Sequence, residues 1–381
     1  MKERESYLPY GQQWIDEEDI EAVIKTLRSP YLTQGPKVTE FEQAIADYVG
    51  AKYAVSFSNG TAALHGACHA AGISEGDEVI TTPITFAATS NAILYCKGTP
   101  VFADIDERTY NIDPLEIKRQ ITPKTKAIMP VDFTGQPADM DTIMEIAKDH
   151  ELIVIEDGAH SFGADYKGRK VGTQAHMTMF SFHPVKPITS GEGGIIVTDS
   201  IDLYEKLKRF RSHGMTSENL TRDEGPWYYE MVQLGFNYRM TDIHAALGLS
   251  QLNRVDSFIQ KRREIAGIYN RAFREIGIVT APHQLEETQS GWHLYMLKLS
   301  LNELKKTRRE IFEELRAMNI GVHVHYIPVY WHPYYKELGY KKGLCPKAEQ
   351  WYEAVLTLPI YPKMTDQDVL DVVRSVNKVL L

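Results

Sequence analysis

The chain is short of cysteine, of long apolar runs and of positive charge, and each shortage removes a class of function. Three cysteines occur in 381 residues, Cys68, Cys96 and Cys345. They are far apart and odd in number. Neither a disulfide framework nor zinc spacing follows, and a reducing cytoplasm is the expected setting. No stretch approaches a membrane span, and the start, Met1-Lys2-Glu3-Arg4-Glu5, lacks the apolar core of an export signal. The net charge of −9 argues against a nucleic-acid partner, which needs clustered positive charge. It leaves room for a local site that holds a small anion. No repeat or low-complexity tract appears. The G-x-G-x-x-G and P-loop patterns are missing, which counts against nicotinamide and ATP chemistry. What remains is an ordinary globular composition, 43% apolar and 24% charged, long enough for two domains.

The pattern along the chain is α/β. A polar arm, Tyr7 to Gly11, leads to a helix opened by Asp16, with Ile20, Val23, Ile24 and Leu27 on one face. The run Tyr31 to Pro36 breaks it, and a helix over about Val38–Val49 follows. Strands are expected at Tyr53–Phe57, Glu78–Thr82, Pro100–Asp104, Ala127–Val131 and Leu152–Glu156. Helices are expected at Thr61–Ala71, Thr89–Lys97 and Met140–His150. Short apolar runs alternating with amphipathic helices indicate a mostly parallel, buried sheet covered on both faces. A long connector helix should run from Thr241 past Phe258 to Phe273. Beyond it the pattern changes: strand Trp292–Leu299, helix Arg308–Met318, strand Val322–Tyr326, terminal helix Asp366–Leu380. This reads as a large domain with its N-terminal arm, residues 1–250, and a smaller α+β domain with the connector, 251–381.

In open parallel sheets, ligands bind beyond the carboxyl ends of the strands, and the residues with chemical potential fall there. Lys186 stands between Pro184 and Pro187, after a β-type run, Met177 to Phe182, and before a glycine-rich turn. A lysine that must hold one position, shed its proton and form a Schiff base needs such a frame. Asp157 ends another apolar run. Alone it would be an ordinary helix cap; with a fixed lysine it is the minimum kit for pyridoxal phosphate (PLP), an acid that keeps a pyridine nitrogen protonated. His160 follows three residues later and could reach the ring oxygen, although a lone histidine is more often simply packed. Ser58-Asn59-Gly60-Thr61 is a strand–turn–helix junction whose amides suit either a phosphate or a plain capped helix. Phe86, just past a strand, could stack on a flat ring or belong to the core. Ser181 could donate to a phosphate or merely serve a turn. Asn237 and Arg239 are polar groups in an apolar stretch and need partners. His323 and His325 would share one face of a strand. No third ligand with plausible spacing accompanies them, so a metal is not expected, and His325 with Tyr326 at a cleft is the better reading.

Taken in order, phosphate turn, stacking aromatic, acid, serine and lysine, the chain closely resembles the DegT/DnrJ/EryC1/StrS family of nucleotide-sugar aminotransferases, PLP enzymes of fold type I (aspartate aminotransferase-like). The resemblance runs from Leu32-Thr33-Gln34-Gly35 to the C-terminal helix. Its most specific part is Phe180-Ser-Phe-His-Pro-Val-Lys186-Pro-Ile-Thr with Glu192-Gly-Gly. With Phe210 to Met215, Ala246 to Leu252 and His325 to Tyr330, the chain looks most like the PseC branch. The histidine after the acid, where many relatives carry glutamine, points the same way. That branch aminates C4 of a UDP-linked 4-keto-6-deoxy-2-acetamido sugar on the way to pseudaminic acid.

The resemblance implies a Schiff base between Lys186 and PLP, Asp157 on the pyridinium nitrogen, Phe86 on the ring and His160 near the ring oxygen. It implies that Gly60, Thr61 and Ser181 bind the phosphate. Asn237 would reach the phosphate of a neighbouring subunit, which requires a homodimer. Tyr10, Pro30, Tyr31, Leu32, Thr33, Arg239, His323, Val324, His325 and Tyr326 would line the sugar-nucleotide pocket, with L-glutamate as donor. Many relatives have Ser-Gly-Thr at the phosphate turn where this chain has Ser58-Asn59-Gly60-Thr61, so the hydroxyl that meets the phosphate stays open. Rivals are a C4 aminotransferase for the D-gluco-series sugar and a PLP-dependent sugar dehydratase. The dehydratase of this family carries histidine in the lysine's place. A PLP-binding regulator would show an added DNA-binding module or basic arm, and none is seen.

Overall fold

A computed structural model describes residues 4–216 and 225–381. Seven strands form the main sheet: β1 (Tyr53–Phe57), β2 (Glu78–Thr81), β3 (Thr99–Phe102), β4 (Thr125–Met129), β5 (Ile153–Asp157), β6 (Met177–Ser181) and β7 (Gly194–Thr198). Their spatial order is β1-β7-β6-β5-β4-β2-β3. All neighbouring pairs are parallel except the two made by β7. β7 is reversed because Phe182 to Gly193 is a loop with no helix. A parallel return would need a crossover, whereas an antiparallel one needs only a turn. The strands are buried on both faces, and β6 and β7 have no exposed residue.

Helices cover the sheet. The first are α1 (Glu17–Leu27), α2 (Pro36–Val49), α3 (Gly60–Ala70) and α4 (Ala88–Tyr95). Asp16 caps α1 as expected, in a capping box with Asp19. The apolar stripe of α1 does not face the core: Ile20 is 43% and Leu27 54% exposed. Further along are α5 (Pro114–Gln120), α6 (Met140–Asp149) and α7 (Ile201–Arg211).

The expected connector is two helices, α8 (Asp242–Leu252) and α9 (Val255–Arg274), broken at Asn253 and Arg254. At the break, Arg254 turns back to Asp16 and Asp19 of the α1 cap, and Gln251 donates to Asp19 at 2.6 Å. That network outcompetes a continuous helix. α9 then joins two cores. Phe258 and Ile259 pack with the main sheet, whereas Ile265, Tyr269 and Phe273 pack with the C-terminal elements.

Those elements are a three-stranded antiparallel sheet, β8 (Val279–Thr280), β9 (Tyr295–Leu299) and β10 (Val355–Leu358), with helix Arg308–Ala317 and the terminal helix Asp366–Leu380. Val322–Tyr326 is not a strand. A single bridge, His323 to Thr357, ties it to β10, because β10 already has β9 on its other side and the segment leaves that edge to reach the cleft. Among the described residues no helix is long and apolar enough to cross a membrane, and no cluster of three metal-ligating side chains occurs.

Candidate active site

A cavity of about 980 Å³ opens at the carboxyl ends of β4, β5 and β6, bounded on its far side by the segment His323–Ile327. That size suits a cofactor and a substrate together. Lys186 stands at its floor, partly open to it. The loop that carries it is pinned by backbone bonds: the Lys186 amide donates to His183 at 2.9 Å, and Ser190 donates to Phe182 at 3.0 Å. Protein surrounds the ammonium on most sides. Burial pushes it down to about 8, against the pull of Asp157 and with help from the buried Arg262. A lysine so placed is partly neutral near pH 7 and can accept a proton.

Asp157 ends β5, and its carboxylate is held from two sides. The Thr89 hydroxyl donates to Oδ2 at 2.7 Å, and the Ala159 amide donates to Oδ1 at 3.1 Å. Burial raises its pKa, while Thr89, Ala159 and Lys186 favour the ion. Its neighbour Glu156 points to the opposite side of the strand, as alternation requires. There it accepts from Thr178 at 2.7 Å and shares a buried site with Asp132. Burial raises both acids, Asp132 to about 7.

At the other end of the cavity, α3 presents its N-terminus. The Asn59 side chain caps it by accepting from the Ala62 amide at 2.9 Å, so the turn's asparagine serves the helix. Gly60 and Thr61 line the cavity with Ser181. A Cβ on Gly60 would sit 3.3 Å from the Ser181 side chain, so glycine keeps the cradle open. Phe86 lies at the mouth, 62% exposed, with its ring 6.2 Å from Tyr326. A bare aromatic over a cavity is a surface waiting for a flat partner.

The remaining wall is a set of rings. Tyr10 packs on His323 and His325 at 5.4 and 5.1 Å, and those two histidines stack at 4.4 Å even without a strand. His325 accepts from or donates to the Thr357 hydroxyl at 2.9 Å, and burial holds it down to about 3. Tyr326 reaches His160 Nε2 at 3.5 Å. His160 Nδ1 is buried without a partner among the described residues. His293, 4.4 Å from His160, has the same orphaned Nδ1.

Most of the residues singled out from sequence therefore meet in one cavity: Tyr10, Gly60, Thr61, Phe86, Asp157, His160, Ser181, Lys186 and His323 to Tyr326. Asn237, Arg239 and Pro30 to Thr33 do not line it within one chain. Asn237 and Pro30 to Thr33 are exposed, Thr33 bridges to Thr241, and Tyr238, between Asn237 and Arg239, does line the cavity. Sequence reasoning missed Thr89, His183, Glu192, His293 and His332, which also line the cavity. Only Thr89 carried a usable signal, a hydroxyl at the start of the helix that follows Phe86.

The residues present fit PLP. A buried acid, an exposed ring and a glycine-opened helix N-terminus surround the lysine, and an orphaned imidazole nitrogen lies beside them. When bound, that group supplies an electron sink for a carbon that loses or gains a proton. A family model described as the DegT/DnrJ/EryC1/StrS aminotransferase family matches residues 13–377. The spore coat polysaccharide biosynthesis protein SpsC of Bacillus subtilis is 44% identical, over 100% of this chain and 99% of its own length. A Campylobacter jejuni protein named UDP-4-amino-4,6-dideoxy-N-acetyl-beta-L-altrosamine transaminase is 39% identical, over 95% of this chain and 94% of its own. The solved structure of Helicobacter pylori PseC, described as an aminotransferase involved in the biosynthesis of pseudoaminic acid, superposes with a TM-score of 0.92. It is 35% identical and covers 98% of this chain and 99% of that one. The lysine-centred cavity and these matches agree: the chain belongs to the DegT/DnrJ/EryC1/StrS aminotransferase family and is a PLP-dependent transaminase of fold type I.

Proposed function

We propose that the enzyme moves an amino group from L-glutamate to C4 of a UDP-linked 4-keto-6-deoxy-2-acetamido sugar. The observation that carries this reading is the single lysine at the floor of a cavity large enough for a sugar nucleotide. The name of the C. jejuni relative supplies the sugar, and the H. pylori description the pathway. Lys186 takes the α-proton from the donor and later returns a proton to the sugar carbon, on one face of the cavity. With its pKa lowered to about 8, part of it is neutral near pH 7. Asp157, held by Thr89 and Ala159, is the group to hold the ring nitrogen of the cofactor. Gly60, Thr61 and Ser181 are the groups for its phosphate, and Phe86 for its face. His160, whose Nδ1 has no partner among the described residues, is the group for a ring oxygen.

We further propose a cytoplasmic homodimer, divided near residue 250 into the two domains read from sequence. In support, Tyr31, Leu32, Leu234 and Phe236 are exposed apolar residues beside Pro30, Thr33, Asn237 and Arg239. A second copy covering that surface would carry Asn237 and Arg239 to its partner's cavity. The 44% relative is named for spore-coat polysaccharide, a different end product. The test is therefore a substrate panel: UDP-4-keto-6-deoxy sugars of the L-altro-related and D-gluco series, with glutamate as donor. Turnover of the L-altro-related ketone at least tenfold faster supports the proposal. Faster turnover of the D-gluco ketone replaces the sugar, and turnover of neither sinks it.

A further inference from the structure

Arg262 is the one cation of α9 that never reaches water. It is 1% exposed, and its Nη1 donates to three main-chain carbonyls, Trp292 at 3.2 Å, His293 at 3.3 Å and Ile360 at 2.8 Å. Its Nε has no partner, and no carboxylate pairs with it among the described residues. Its neighbour Arg263 behaves ordinarily and reaches Asp165 at 3.0 Å. Burial lowers Arg262 to about 9, still above neutral, so the guanidinium stays charged.

A buried charge without a counter-ion costs several kcal/mol. An apolar side chain would pack α9 more cheaply. What Arg262 grips explains its presence. Trp292 has φ +47°, a conformation that a large side chain rarely adopts. Opposite it, Thr134 and Gly135 also have positive φ, +65° and +105°. The Gly291 amide donates to Gly135, and the Leu294 amide to Thr134. A Cβ on Gly135 would come within 2.8 Å of the Trp292 nitrogen. Strained backbone of this kind persists where its surroundings over-determine it, and it clusters at functional sites. The turn it builds ends in His293, whose ring lies against His160.

We propose that Arg262 is a positioning residue of the Lys186 site, acting through the Trp292–His293 backbone it holds and through the unpaired positive charge it places near the lysine. Asp157 on β5 and His160, His183, His293 and His325 from four separate loops line the cavity with Lys186, and Arg262 on α9 lies behind His293, whose carbonyl it holds; all six couple electrostatically to the lysine. Of these only Arg262 adds a fixed positive charge, since desolvation lowers the pKa of each histidine. Asp157 holds the proton on Lys186, and Arg262 drives it off.

The proposal rests on Lys186 being the cofactor lysine, but the midpoint measurement that decides it does not. Full-length, cofactor-free protein is acylated with acetic anhydride across a pH range, and the modification of Lys186 is read by peptide mass. Arg262→Gln keeps donors for the carbonyls and drops the charge, and its midpoint should rise. Arg262→Lys keeps the charge but cannot span three carbonyls. It should keep the midpoint and lower transamination about tenfold. His293→Gln leaves the guanidinium in place and removes only the imidazole, so it should lower turnover with the midpoint unmoved. An unshifted midpoint in R262Q, or a midpoint in H293Q shifted as far as in R262Q, overturns the assignment. If R262Q does not fold, Arg262→Met carries the same expectation. Failure of the substrate panel with these midpoints as expected would discard the sugar and leave Arg262 in its role.

Discussion

The floor of the cleft and its rim are built by different means. On the floor, Asp157 and Ser181 end neighbouring strands, and Lys186 sits in a loop bonded to itself. The first two positions are set by sheet register and the third by the loop's own bonds, all within one chain. The rim candidates Pro30 to Thr33 and Asn237 are exposed and Arg239 is half-buried, and none of them lines the cavity of their own chain, although Tyr238 between the last two does. A floor made of strand ends is rigid and can tune a lysine. A rim made of loops can change its sugar without disturbing the chemistry, which suits a family whose members are named for different products.

The sharpest way to break this contrast is on the floor. Lys186→Ala should lower kcat by about four orders of magnitude, since one group serves as nucleophile and as acid and base. A single-turnover assay with glutamate checks it, and retained turnover would remove the lysine from the chemistry. Asp157→Asn should cost roughly 10²–10³ in kcat, as expected when one fixed charge is lost from a dry site. Its stability should move the other way. Burial raises the folded pKa of Asp157, so folding favours the neutral acid. The stability contributed by that proton is present at low pH and is lost as pH rises through the folded value. At pH 7 the Asn variant should therefore melt no lower than wild type, and a clear fall in Tm would show that the carboxylate is structural.

The rim is tested by mixing. Lys186→Ala and Arg239→Ala dimers, each nearly inactive, should regain about a quarter of wild-type activity on subunit exchange if sites are shared across a two-fold axis. Half of the dimers would then be hybrids, each with one intact site. No regain would confine the site to one chain and leave the exposed Tyr31–Leu32 surface unexplained.

The floor was also the part legible in the sequence. Lys186 and Asp157 follow apolar runs of strand length, and a strand's end is readable from its period and its punctuation. Parallel sheet, helix N-terminus and glycine cradle were legible for the same reason. The misses have a common cause, which is distance along the chain. Arg262 sits in a Lys-Arg-Arg-Glu run that reads as a solvated helix face, yet its three partners lie 30, 31 and 98 residues away. The break between α8 and α9 depends on Asp16 and Asp19. The segment Val322–Tyr326 alternates like a strand but has only one bridge to pair with. Local pattern proposes an element, and a remote partner decides whether it forms.

A milder contrast lies below the sheet. Asp132 and Glu156 are buried together, and burial raises both. Their stabilising contribution is complete below the ordinary carboxylate range and is lost as pH rises through about 7, where Asp132 ionises. Glu156→Gln should flatten the fall of Tm between about pH 5 and 8. An unchanged slope would mean that the pair holds no proton across that range.

The smallest effect divides the rim itself. His323 and His325 stack, but only His325 is buried, and only it meets the Thr357 hydroxyl, at 2.9 Å. Thr357 is fully buried on β10 and also donates to Met296 Sδ at 3.4 Å. Thr357→Val keeps the shape and removes that hydroxyl, which leaves a buried imidazole nitrogen without its partner. The expected cost is about 1–3 kcal/mol, read by urea titration. His323→Ala removes an exposed ring and should stay within about 0.5 kcal/mol. Both should alter KM for the sugar nucleotide a few-fold and leave the glutamate half-reaction near wild type, because neither touches Lys186. If T357V instead slowed the glutamate step, the histidine wall would have to be counted with the floor.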